Sequence, residues 1–555
     1  MILEYIIDYR SSSNVYEKIF LKTLAAYSLS GKLLKEGFSL KCYIETDNIE
    51  DFENFATDFA RRLPHSIFLH DTQVNVVEEM PEGEYLVDTD AKIEMPFCLE
   101  CLETVFDESS PHYYDIFQSC ELCGYDVEGE HRSYKEDFQE MAELISEGKT
   151  LTIDTFYGKY NIGKIDVDVC DSIDFDIIAY DYATVQKFTH AKDYELKALA
   201  SMEKPFIRLK TNIKFKTDVE DLKDELIRFK LPDDFVLQFL MHELHLKDID
   251  MIFITKDEIK TDKSISLVKA KKEKEPIEVV AASNNVVIIK GNKGLFSFPV
   301  LTEKIAPIIG ATYSVIKEHN LDDDNIAGVY LSKEYQNGIV IYGKKYGVVN
   351  HLTMECSYGS IQEIFEQIAS TNETGKKLIN AYRSKYSDHC EKISKIKFNQ
   401  ETLNIYDIWG VISIILDFSS SANLKTAAKI LEDNAVSFLG NKGPRIDYKI
   451  YNKNSITTLD YLMIIRSAMS FKLAGIDDLT LSYGVIESFV EFLVNELESV
   501  NDSVGVESIV IAGSLLENSK LFSKLSVEGS INNNMYFNNQ LLVDHQNITY
   551  GDYIL

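Results

Sequence analysis

Four of the eight cysteines form two pairs, Cys98-x2-Cys101 and Cys120-x2-Cys123, separated by residues 102–119. Each Cys-x-x-Cys elbow wraps two thiolates around one ion, so together they supply the ligand set of a tetrahedral centre with four sulfurs. Gly124, directly after the second elbow, suits the tight backbone turn of a metal knuckle. Soft thiolates favour zinc, with iron the other metal this set would take. The bland alternative is two unrelated pairs of reduced core cysteines. Four sulfurs close the coordination sphere to substrate. The expectation is therefore one structural zinc per chain, which says how part of the chain is held and not what it catalyses.

Other candidate chemistry is thinner. His242 and His245 in MHELHL lie three apart and share a helix face, but the metalloprotease spacing and a third ligand are missing. An ordinary surface helix is the simpler reading. Asp322, Asp323 and Asp324 lack the alternation of a calcium loop and read as a solvated turn. Gly291 and Gly294 around Asn292-Lys293 read as a hairpin turn, not a phosphate loop. Gly513, in IAGSLLEN, follows an apolar strand and precedes a helix, where backbone N–H groups can receive a phosphate, though one glycine is a weak signal. No Gly-x-Ser-x-Gly elbow occurs, and Cys42, Cys170, Cys356 and Cys390 have no neighbouring motif.

The elements that must position these residues read as α/β throughout. Residues 2–8, 39–46 and 73–77 read as strands around helices 16–29 and 49–62, the pattern of a small ferredoxin-like sandwich. A second α/β unit opens with a helix at 134–146. It continues through strands at 150–155, 175–180 and 205–209, a helix at 220–246 and a strand at 251–254. Residues 258–280 are charged and read as a linker. Strands follow at 286–289, 294–298, 326–330, 338–342 and 348–352, then a helical stretch to about residue 500 and a strand at 508–512. The paired hairpin starts suggest a duplicated fold.

A chain of 555 residues exceeds one core and implies several domains. Its formal charge of −32 disfavours nucleic acid and anionic membrane as partners. The basic run 269–274 reads as a solvated linker. No apolar run is long enough to span a membrane, and the first residues do not resemble a signal peptide. Reduced cysteines with a thiolate centre fit the cytoplasm. An apolar patch would still permit a homodimer.

A small α/β unit, a Cys-x2-Cys-x18-Cys-x2-Cys knuckle, a second α/β unit and a duplicated one, in that order, resemble the HypF family. These are carbamoyltransferases that begin cyanide-ligand synthesis for [NiFe] hydrogenases. The chain is most similar to the shortened, HypF-like accessory proteins called HydE, with one cysteine quartet where HypF carries two. The resemblance implies four parts. They are an acylphosphatase-like ferredoxin-like sandwich (1–85), a four-cysteine zinc knuckle (86–130), a YrdC-like α/β domain (131–265) and a carbamoyltransferase-like, actin-type α/β domain (266–555).

Carried over position by position, the family's chemistry thins out. The phosphate-gripping arginine of the first domain falls on Lys18, in the segment Asn14-Val15-Tyr16-Glu17, and its asparagine on Lys35. Lysine lacks the planar fork that grips phosphate. The YrdC-like domain's KGLGG segment falls on Asp154-Thr155-Phe156-Tyr157-Gly158, reversing the charge of an ATP-facing lysine, and its Ser-Gly-Asn signature on Thr255-Lys256-Asp257. In the last domain the metal-binding histidine segment falls on residues 307–311, with no histidine left. The DGTG loop falls on Ser332-Lys333-Glu334-Tyr335 and a Glu-Gly pair on Leu424-Lys425. Gly513-Ser514 and Asn518 keep part of the late phosphate loop, Asp407 survives, and the terminal metal aspartate falls at Asp544 or His545. The resemblance therefore implies a catalytically degenerate accessory protein without ATP, serving hydrogenase maturation by binding a hydrogenase subunit or a factor such as HypE. The alternative is an active carbamoyltransferase using carbamoyl phosphate and ATP.

Overall fold

The computed structural model describes all residues except 1, 12, 47, 80–96, 121–122, 220–221, 270–275, 284, 292–304, 454–455 and 555. The expected strand at 294–298, the Gly291–Gly294 turn and most of the basic run 269–274 lie outside the described residues. The chain divides into two compact units: residues 1–279 with 290–295, and residues 280–289 with 296–555.

In the first unit, β1 (Ile2–Tyr9), β2 (Ser30–Glu36), β3 (Ser39–Glu45) and β4 (Leu69–Val77) form an antiparallel sheet in the order β2-β3-β1-β4. Helices Val15–Ala26 and Ile49–Arg62 pack on the face that carries Tyr5. Phe55 and Phe59, four apart on the second helix, meet Phe20 edge-on at 6.0 and 5.6 Å, and Tyr5 meets Phe59 at 5.5 Å. This is the ferredoxin-like split βαβ arrangement. Its second strand escapes the sequence reading because SGKLLKE buries only Leu33 and so shows no apolar alternation. Gly37, at φ +61°, turns that strand into β3.

The same unit holds a mixed sheet of β5 (Leu151–Thr155), β6 (Gly158–Gly163), β7 (Asp176–Ala179), β8 (Ile207–Lys210), β9 (Leu226–Lys230), β10 (Met251–Thr255) and β11 (Lys263–Ile265). Their order is β11-β5-β6-β10-β7-β9-β8. Two expectations are corrected here. The helix expected over 220–246 is β9 followed by helix Phe235–His245. Pro232 interrupts the run, and Asp234 caps the helix by accepting the Leu237 N–H at 2.9 Å. The expected linker 258–280 contributes β11, which pairs in parallel with β5. The sandwich is tied to this part by Glu203, a buried carboxylate that accepts Ser66 Oγ–H at 2.7 Å and Ile67 N–H at 3.0 Å.

The division between units falls within β12 (Glu278–Ala282), which forms a two-stranded sheet with β13 (Asn285–Lys290). The second unit is built on β14 (Ile326–Tyr330), β15 (Asn337–Gly343), β16 (Gly347–Cys356), β17 (Leu403–Asn404), β18 (Ile450–Lys453), β19 (Ile456–Leu459), β20 (Ser508–Ala512) and β21 (Asn534–Phe537). The order is β18-β19-β16-β15-β14-β20-β21, with β17 also on β16. All five residues of β14 and of β20 are buried, as expected for central strands covered on both faces. The expected helical stretch is interrupted by the β18–β19 hairpin. The chain's one tryptophan, Trp409, is buried in helix Ile405–Ile415 at the heart of this core. Among the described residues no helix is long and apolar enough to cross a membrane.

Candidate functional site

The structure brings the four cysteines together. Cys98 stands at the N-terminus of helix Leu99–Phe106 and Cys101 in its first turn. On the second elbow, Gly124 adopts φ +70° and donates its N–H to the Cys120 carbonyl at 2.9 Å, while the Cys120 N–H reaches the Tyr125 carbonyl at 2.7 Å. The sulfur separations are 3.6 Å (Cys98–Cys101), 3.9 Å (Cys98–Cys120) and 3.5 Å (Cys101–Cys123). Thiolates at about 2.3 Å from one tetrahedral ion stand about 3.8 Å apart, so the quartet fits zinc closely.

The knuckle is braced on two sides. Phe97 stacks on Phe235 at 5.1 Å, and Tyr114 stacks on Phe239 at 4.7 Å. On the other side Arg61 pairs with Glu103 at 2.5 Å and Arg62 with Glu100 at 3.2 Å. Helix Phe235–His245 is thus a packing element and not the expected surface helix. His242 lies against Phe106 at 4.6 Å and His245 stacks on Tyr180 at 4.1 Å, so the two histidines are held by aromatic rings. The Asp322–Asp324 turn is likewise compensated: Asp322 pairs with Lys317, Asp323 with Lys344, and Asp324 accepts Ser508 Oγ–H at 2.6 Å.

At the sandwich positions singled out by resemblance, Lys35 on β2 pairs with Glu17 at 2.7 Å and approaches Asn14 Oδ1 at 3.4 Å. Lys18 opens the helical ladder, its N–H 3.1 Å from the Asn14 carbonyl. Glu17, not singled out in the sequence, is the buried member of this group. Asp154 lies in β5 opposite Lys159, with 3.6 Å between their charged groups. Thr255 Oγ1–H donates to the Asp174 carbonyl at 2.6 Å, and Asp257 accepts the Asp174 N–H at 2.9 Å. These residues and Lys256 border a cavity of about 330 Å³ that also receives Arg228 and Lys290. Arg228, missed in the sequence, is engaged by Asp176 and Asp174.

In the second unit the singled-out residues converge on a filled cluster. Lys333 pairs with Glu517 at 2.8 Å and Glu432 at 3.1 Å, and its ammonium stands 5.3 Å from the centre of the Tyr406 ring. Burial would lower the Lys333 pKa, but Glu432 and Glu517 override it and raise it. Burial raises that of Glu517 against the pull of Lys333. Lys425 pairs with Asp407 at 3.2 Å and donates to the Lys333 carbonyl.

Nearby, Asp544 accepts Tyr330 O–H and Ser332 O–H, both at 2.7 Å, and Ser514 N–H at 2.9 Å. Of the two positions Asp544 and His545, it is Asp544 that joins this buried network, and it spends on a carboxylate the N–H expected to greet a phosphate. Gly513, at φ +115°, is required there because a Cβ would lie 2.2 Å from the Leu331 carbonyl oxygen. Asn518 caps the following helix through the N–H groups of Lys520 and Leu521. Residues 307–311 begin helix Pro307–Glu318, where Gly310 meets helix Gln546–Ile554 so closely that a Cβ on Gly551 would lie 1.8 Å from the Gly310 carbonyl oxygen.

No family model matches the chain. Protein HydE of Wolinella succinogenes is 26% identical over 487 residues, covering 86% of this chain and 87% of that protein. Among solved structures, HypF of T. kodakarensis superposes with a TM-score of 0.64 at 13% identity, covering 99% of this chain and 97% of that one. A full-length HypF in its phosphate- and nucleotide-bound form superposes with a TM-score of 0.63 at 14% identity, covering 83% and 97%. The chain thus shares the overall fold of HypF and is similar in sequence to HydE over most of both chains, and its cysteine quartet stands together as a metal-binding cluster would.

Proposed function

We propose that this chain is a HypF-like accessory protein of [NiFe] hydrogenase maturation that acts by binding another protein and does not transfer carbamoyl groups. The observation that best supports this is the occupied interior of the second unit. Positions resembling the carbamoyltransferase's metal and nucleotide loops carry the Gly310–Gly551 helix contact and the cluster of Lys333, Lys425, Asp407, Glu432 and Glu517. A polyphosphate entering there would meet three carboxylates whose lysines are already engaged, which is repulsive by charge alone. In this reading residues 1–85, 86–130, 131–265 and 266–555 are the acylphosphatase-like, zinc-knuckle, YrdC-like and carbamoyltransferase-like parts. The protein is cytoplasmic, holds one structural zinc and engages a hydrogenase subunit or HypE. Purified protein given carbamoyl phosphate, ATP and HypE is expected to cleave no ATP and carbamoylate no thiol; turnover would refute the reading. Size-exclusion runs with purified HypE and with the hydrogenase large subunit are expected to give a complex with one of them, and no complex with either removes the binding role.

A second reading, an active carbamoyltransferase, draws support from the cavity of about 330 Å³ beside Thr255-Lys256-Asp257, whose size suits a small ligand. Saturable ATP binding abolished by Lys256→Glu would favour it.

A further inference from the structure

Between the two cysteine elbows the chain makes a tight turn held by its own backbone. The Tyr114 N–H reaches the Val105 carbonyl at 2.9 Å, the Asp115 N–H reaches the His112 carbonyl at 3.0 Å, and the Tyr134 N–H reaches the Tyr114 carbonyl at 3.0 Å. Asp115 at the centre is only 1% exposed. Its Oδ1 accepts the Phe117 N–H at 2.9 Å, which fixes the carboxylate plane and leaves Oδ2 to face outward. Two histidines aim the same ring nitrogen at that oxygen: His131 Nδ1 at 2.8 Å and His112 Nδ1 at 3.2 Å. Among the described residues no lysine or arginine pairs with Asp115, so this buried carboxylate has two imidazoles as its only charge-bearing partners.

We propose that His112, Asp115 and His131 form a second metal site, separate from the four-cysteine centre, that takes one divalent transition-metal ion. Two imidazoles and one carboxylate are the ligand set that zinc, nickel and iron(II) accept with positions left open. Donors about 2.1 Å from one ion stand about 3.0 Å apart at right angles and about 3.4 Å apart in a tetrahedron, which brackets the His112 spacing to Asp115 and lies just above that of His131. The rings are now 6.3 Å apart between centroids, so the imidazoles swing inward as an ion enters. Both have room to do so, with side chains 42% (His112) and 59% (His131) exposed. Ligation through Nδ1 leaves each ring proton on Nε2, which faces away from the ion. The same exposure gives the ion an open, exchangeable face, in contrast to the closed thiolate centre, and makes the site suited to a metal that is loaded and given up.

The test uses the full-length zinc-loaded protein after chelating resin has cleared exchangeable metal. Calorimetric titration with NiCl2, and separately with ZnSO4, is expected to show one further equivalent per chain for at least one of the two ions. His112→Ala and His131→Ala each weaken that binding at least tenfold and together abolish it, whereas His245→Ala leaves it unchanged. Retention of the thiolate-bound zinc by every variant reports that the knuckle is still folded. Wild-type protein that takes up no further equivalent of either ion overturns the proposal, as does an equivalent that survives the double substitution.

Discussion

Lys333→Met tests whether the interior of the second unit is filled by a charge cluster or stands open to solvent. The substitution keeps the length of the side chain and removes the cation that Glu432 and Glu517 share. Glu432 has a side chain only 4% exposed and is the member most dependent on the lysine, whereas that of Glu517 is 31% exposed. Breaking a buried pair by removing one partner costs about 3–5 kcal/mol. The Tyr406 O–H bond to Glu432, 2.8 Å long, remains and offsets part of that. A net loss of about 3 kcal/mol in a unit of this size lowers Tm by roughly 5–10 °C. Trp409 is the only tryptophan, is buried in this unit, and reports its unfolding by fluorescence without interference from the rest of the chain. Lys333→Met/Glu432→Gln removes the orphaned charge as well, and is expected to recover at least half the loss. A single variant that melts within about 2 °C of the parent, or a double variant as unstable as the sum of its parts, would show the cluster to be hydrated and refute the reasoning.

Cys120→Ser is expected to lose the one zinc that survives chelating resin in the parent, measured by elemental analysis, and to destabilise the first unit by several kcal/mol because metal binding and local folding are one process. Asp234 has its pKa pushed up to about 7 by full burial and by neighbouring Asp233. Because the folded-state pKa is raised, the native state holds a proton the unfolded chain releases, and stability falls as pH rises from about 4 to about 7. Asp234→Asn retains the Leu237 cap and is expected to flatten that slope, worth up to roughly 4 kcal/mol, in denaturant titrations across this range. Gly551→Ala drives a Cβ to 1.8 Å from the Gly310 carbonyl oxygen and is expected to lower the Trp409-reported melting of the second unit, by at least about 2 kcal/mol; unchanged melting would mean the two helices do not touch.

The cysteine quartet is fully legible because its chemistry is written in residue type and short-range spacing, and Cys98 to Cys123 need no tertiary information. Strands with apolar runs, such as β10 and β20, are legible for a similar reason. What escapes depends on distant partners. β2 becomes a strand only by pairing with β3. Pro232 is different, a local break that stands in plain view inside the expected helix 220–246. Glu432 and Glu17 carry charges that a sequence pattern assigns to the surface, and only the lysines folded over them explain their burial. His112 and His131 are nineteen positions apart and belong to no shared motif, and they meet only because Asp115 sits at the middle of a fixed turn.

The bond from Glu203 to Ser66 and Ile67 has a mechanical consequence. A carboxylate buried at the junction, with donors from the sandwich on one side and its own backbone in the larger sheet's part on the other, acts as a rivet and not as a hinge. Opening the junction would expose a hydroxyl and an amide but would also require the acid to find new donors, so the sandwich resists swinging away from the sheet. The Arg61–Glu103 and Arg62–Glu100 pairs also join this sandwich to the zinc knuckle, but they stand largely in water and add little stiffness beside the buried Glu203 bonds. A pull on the sandwich is therefore felt first at Glu203, where the two parts share buried hydrogen bonds.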